Sequence, residues 1–145
     1  MTEKIKNETT EKGNEEKVLF DGSPIYKIWA IPKMNRIQFL FFGEMKDVNA
    51  APDYVKHTKE AVDLLQTGFT AVSEAQTKTN PSFAWTSKFK ESFEVMQQKG
   101  LKSAAVVMEA LVHRMIIGVL SKLAKINIKV CKNLEEAHSW LDGQA

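Results

Sequence analysis

The sequence predicts an α/β domain, a single-domain mixed five-stranded sheet with about four helices in the order ββαβαβαβα, over residues 18–145 behind a disordered polar tail at 1–17. Three observations predict it. Short runs rich in β-branched and aromatic residues alternate with stretches whose apolar residues recur every three or four positions. Glycine or proline marks most of the boundaries between them. At 145 residues and 43% hydrophobic, the chain can bury one core of ordinary size but not two.

The tail comes first. Residues 1–17 hold four Lys and five Glu, with Ile5 the only large apolar side chain beyond Met1. Such a segment cannot bury enough surface of its own to offset chain entropy. After the turn signal Asp21-Gly22-Ser23-Pro24, the run IYKIWAI reads as a first strand closed by Pro32. A short link leads to RIQFLFF, a second strand ending at Gly43 and near enough to form a hairpin with the first. Over 53–67, Tyr54, Val55, Thr58, Ala61, Val62 and Leu65 share one face of a helix that stops at Gly68. FTAVSEA is the third strand.

Asn80-Pro81 has the form of an N-cap followed by proline in the first helical position, and Trp85, Phe89, Phe93 and Met96 make a stripe along the helix that follows, to Gly100. AAVVME, residues 104–109, is a fourth strand. Leu111, Val112, Met115, Val119, Leu120 and Leu123 mark a third helix, and IKVC a fifth strand. Asn133 opens a capping-box-like NLEE, with Leu134, Ala137, Trp140 and Leu141 as the buried side of the last helix. Regular strand–helix alternation requires mostly parallel strands joined by right-handed crossovers, so only the first strand is expected to run antiparallel.

Composition excludes several function classes. Apolar runs such as Met115 to Leu120 fall far short of the roughly 18 residues of a membrane span, and the start of the chain lacks the apolar core of a secretory signal. The expectation is a cytoplasmic protein without an integral membrane segment. Cys131, the only cysteine, agrees with a reducing compartment. A net charge of +2 gives no footprint for nucleic acid, and Lys122, Lys125, Lys129 and Lys132, without interleaved exposed aromatics, read as a solvated rim.

The element order, the NRI run opening the second strand, the passage EAVDLL-x-x-GF and the closing EEA-x-x-WL resemble the SpoIIAA-like branch of the STAS superfamily, the fold of sulphate-transporter tails and anti-sigma-factor antagonists. The resemblance covers roughly residues 24–142. It implies a regulatory module rather than an enzyme. Antagonists of that family carry a phosphorylatable Ser in a D-S-S-G-type loop after the third strand. This chain has SEAQTKTNPSFAW there, without the Asp, the paired Ser or the Gly. By position, Ser82 is the candidate phosphorylation site, with Thr77 and Thr79 just ahead of it.

Other constellations are weaker. In an open α/β sheet the crevice lies outside the carboxyl ends of the parallel strands, which places Glu44, Glu74 and Glu109 as a remote acid–base or metal alternative tied by no spacing rule. His57, His113 and His138 fall in different helices with no pair on one face, so each reads as a surface residue and no metal site or cofactor is expected. Cys131 ends an apolar strand and reads as a small hydrophobe. No nucleophile elbow, P-loop or dinucleotide fingerprint occurs.

Phe83 lies off the Trp85 stripe and suggests a contact surface. Ile117 lies opposite Val112 and Val119, next to Arg114. The expectation is therefore a non-enzymatic protein-interaction module whose partner meets Thr77, Thr79, Asn80, Ser82 and Phe83, with Arg114 and Ile117 as a second patch. The partner is a protein of unstated identity, a second copy of the chain included. The alternative is a carrier or sensor of a small apolar or lipid-like ligand, suggested by the aromatic bulk of the second helix and by lipid-binding domains of the broader fold.

Overall fold

The computed structural model describes residues 5–9, 16–76, 82–107 and 127–144. Seven strands lie in one sheet in chain order: β1 (Ile5–Thr9), β2 (Glu16–Gly22), β3 (Tyr26–Ile31), β4 (Arg36–Phe41), β5 (Thr70–Ala75), β6 (Ser103–Val107) and β7 (Asn127–Cys131). β1 to β4 are antiparallel neighbours, and β4 to β7 are parallel. The described helices are α1 (Tyr54–Val62), α2 (Phe83–Gln98) and α3 (Leu134–Asp142).

The α/β class is as expected, and the five strands read from sequence are β3 to β7. Two corrections concern the N-terminus. β2 extends the sheet beyond the expected hairpin, and Ile5–Thr9, read as part of a disordered tail, pairs with it as β1. Compositional reasoning misses such a strand because an edge strand takes its ladder hydrogen bonds from its neighbour and needs little apolar content of its own. β2 already starts at Glu16, inside the expected tail. The expected third helix, with Leu111, Val112, Met115, Val119, Leu120 and Leu123, lies outside the described residues, as do Met108 and Glu109 of the expected fourth strand.

The pleat divides the core in two. On β4, Ile37, Phe39 and Phe41 point to one face, which α1 and α2 cover. On β5 and β6, Ala71 and Ala104 point to that face, whereas Val72, Ala105 and Val107 point to the other, where Cys131, Ala137 and Leu141 close over them. All five residues of β6 are buried, as befits a parallel strand covered on both sides.

The expected helix over 53–67 ends early. After Val62 the bonds tighten, with Leu64 and Leu65 N–H donating to the carbonyls three residues back. The chain then meets Asn35, the αL residue (φ 51°) of the β3–β4 link. Gln66 N–H donates to Asn35 Oδ1 at 2.8 Å, Asn35 Nδ2 donates to the Gln66 carbonyl at 3.2 Å, and Thr70 N–H donates to the Asn35 carbonyl at 3.0 Å. One asparagine thus fixes where β5 begins. At the other end of β4, Gly43 passes so near the Pro24 carbonyl that any Cβ would collide with backbone.

Replacing Asn35 by Ala should lower stability by about 1–2 kcal/mol, because the αL conformation and two side-chain hydrogen bonds are lost together. Asn35→Gly should recover the backbone part. Urea denaturation of the three proteins checks this; equal loss in both variants would show that backbone conformation contributes nothing.

Candidate functional site

The chain that leaves β4 meets the start of α2. Gln76 N–H continues the β5 ladder onto the Phe41 carbonyl at 2.7 Å, and Ser82 N–H donates to the Met45 carbonyl at 2.8 Å. Met45 itself is buried. The β4–α1 loop therefore holds the residue that starts α2. Ser82 is the N-cap: its Oγ accepts from Trp85 N–H at 3.3 Å with the backbone extended. The cap stands two residues beyond the expected Asn80, because the serine oxygen reaches the amide three residues on, as a capping side chain does. Ser82 is half-buried, and Phe42, at the end of β4, is exposed. Thr77, Thr79 and Asn80 lie outside the described residues. So do Arg114, Ile117 and His113.

Behind this edge, the aromatic stripe of α2 belongs to the core. Trp85 is fully buried, with its ring 5.4 Å from Tyr54 and 5.8 Å from Phe89. Phe89 and Phe41 meet edge to face at 5.5 Å. Trp85 Nε1 is buried without a hydrogen-bond partner.

The strand-end carboxylates disperse. Glu44 is exposed near Lys46 (3.7 Å), Glu74 faces Gln76 (3.5 Å), and Glu109 lies outside the described residues. No group of three His, Cys, Asp or Glu that could hold a metal occurs among the described residues. The Cys131 thiol is pushed up by burial first and by Glu136 second, which disfavours the thiolate a nucleophile needs.

Two polar clusters were not expected. His57, read from sequence as a surface residue, is buried against β3, and its Nδ1 lies 2.8 Å from the Tyr26 hydroxyl. Beside it, Thr58 Oγ1 donates to the Tyr54 carbonyl at 3.0 Å and lies 3.2 Å from Ser92 Oγ of α2. Burial pushes the phenols of Tyr26 and Tyr54 well above their ordinary value. The helical spacing held a signal, since His57 stands three residues after Tyr54 and four before Ala61.

The second cluster centres on Arg36, on the face covered by α3. Its Nε donates to Thr70 Oγ1 at 2.8 Å, Nη1 to His138 Nδ1 at 2.7 Å and Nη2 to Asp142 Oδ1 at 2.9 Å. Because a guanidinium only donates, His138 Nδ1 must be unprotonated in this arrangement. Arg36 thus binds α3 to the first residues of β4 and β5. Only its position at the start of a mostly apolar strand hinted at this, since Asp142 is 106 residues away in sequence.

No helix among the described residues is long and apolar enough to cross a membrane. Comparison of the chain with protein-family models, with curated proteins and with solved structures finds no match.

Arg36→Met should cost about 2–4 kcal/mol: three hydrogen bonds are lost, but Asp142 at 67% exposure returns to water and no buried charge is left behind. Amide exchange should show α3 opening before the rest of the fold. If α3 stays as protected as β5 in the variant, the apolar contacts of Ala137 and Leu141 hold the helix alone.

Proposed function

We propose that the chain is a non-enzymatic regulatory or protein-interaction module of SpoIIAA-like STAS type, working through the edge where the β4–α1 loop meets the start of α2. The observation that carries this reading is Ser82. It sits half-buried at the helix start, its amide held by the Met45 carbonyl of the β4–α1 loop and its hydroxyl by the Trp85 amide. A fixed, accessible side chain at that point suits recognition, and an added negative charge there would lie at the positive end of α2.

From β3 onward the described elements run β3-β4-α1-β5-α2-β6-β7-α3, compatible with the expected strand–helix alternation, while β1 and β2 precede it and lie outside the resemblance. Partner binding at Thr77, Thr79, Asn80, Ser82 and Phe83 and phosphorylation of Ser82 belong to this proposal, as do a cytoplasmic setting and a second patch at Arg114 and Ile117. Core packing favours this reading over the carrier of a small apolar ligand. A ligand lodged between α2 and the sheet would have to displace Trp85, Tyr54 and Phe89, whose rings already touch one another.

The test uses two substitutions at the start of α2. Ser82→Asp keeps a good N-cap, so the fold should survive while a charge is added. Phe83→Ala removes an aromatic ring from the first position of α2. Each variant, immobilised as the full-length chain, should recover its protein partner from native lysate in amounts changed at least severalfold from the parent. Identical recovery by both variants would remove this edge as the working surface.

A further inference from the structure

The His57 cluster joins three elements and plays no part in the proposed recognition. His57 lies in α1, 8% exposed, with the Phe20 ring of β2 at 6.0 Å and the Tyr26 ring of β3 at 5.9 Å. Its Nδ1 and the Tyr26 hydroxyl share a 2.8 Å hydrogen bond between helix and sheet. Neighbouring Tyr54, one helical turn earlier, touches both Tyr26 (5.3 Å) and Trp85 of α2 (5.4 Å). The loop entering α1 supplies the Met45 carbonyl that holds Ser82.

We propose that the His57–Tyr26 pair is an acid-sensitive latch that fastens α1 to the β2–β3 edge, and that protonation of His57 releases it. An imidazolium in this place is a charge taken from water into contact with Phe20 and Tyr26. It would also donate from both nitrogens, so Tyr26 could only accept and its own proton would need a new partner.

The charged groups facing His57 oppose one another. Asp53, at the N-cap of α1, and Glu60 favour the imidazolium, and Lys56 of α1 disfavours it; on β2, Asp21 favours it. Glu60 Oε1 is buried without a hydrogen bond. Burial outweighs the three carboxylates, and the His57 imidazole is held below its ordinary value of 6.5. The folded state then binds fewer protons here than the unfolded chain. This contribution to stability is complete above pH 6.5 and is lost as the pH falls below it toward the lowered value of His57. The latch holds in this form whether or not a protein docks at Ser82.

The test follows the His57 ring signal by NMR titration of the full chain, together with amide exchange of Tyr54–Val62 at pH 7.5 and 5.5, corrected for intrinsic exchange chemistry. The expected result is titration below 6.5 and an opening equilibrium of α1 that rises up to about tenfold at the lower pH. His57→Gln keeps a hydrogen-bonding side chain that cannot titrate and should abolish that rise. Titration at or above 6.5, or an equal rise in His57→Gln, overturns the latch. If His57→Gln does not fold, the titration of the parent protein decides. Since neither readout involves a partner, failure here leaves the Ser82 reading to its own binding test.

Discussion

Strand β4 is the constraint on which the structure depends. It is antiparallel to β3 on one side and parallel to β5 on the other, so the sheet changes character along its length. Every second residue, Ile37, Phe39 and Phe41, feeds the core beneath α1 and α2, and the alternate Arg36 reaches α3 on the opposite face. The strand ends carry the connections: Asn35, just before it, orders the approach to β5, and the Phe41 carbonyl, at its end, receives the Gln76 amide beyond β5. A right-handed crossover following each of β4 and β5 places α1 and α2 side by side on one face. That adjacency brings Tyr54 against Trp85 and sets the β4–α1 loop beside Ser82.

Much of this was legible in the sequence where the signal is local. Asn133 caps α3 as NLEE suggested, its side chain accepting from Glu136 N–H at 2.8 Å. The Glu136 carboxylate, however, accepts from Lys132 N–H rather than closing the box on Asn133. Gly68 and Gly100, read as helix stops, both adopt positive φ. The aromatic stripe of α2 is buried as its spacing required. The misses are non-local. Nothing in IKNET announces a strand until β2 is beside it, and nothing around Arg36 announces His138 and Asp142. His57 was misplaced by its residue type although its spacing put it on the buried side of α1. The candidate site was legible as a position, the helix start after the third strand of the expected order, but its cap was placed two residues early, at Asn80 instead of Ser82.

The two polar clasps differ in physical kind. Arg36 is held by Thr70, His138 and a largely exposed Asp142, so its cost of burial is spread over three acceptors. His57 and Tyr26 are neutral and lose their match when a proton is added. Both contacts lie where a helix meets the sheet. Acid should act first on the docking of α1 through His57, while the β4–β5–β6 ladders, made of backbone groups that do not titrate, persist.

The account makes β4 the organising strand, and native-state amide exchange under increasing denaturant tests that most directly. Amides of Ile37–Phe41 should exchange only through global unfolding, at the same free energy as those of β5 and with the same dependence on denaturant. Exchange of β4 through a smaller, local opening while β2, β3 and β5 stay protected would contradict it.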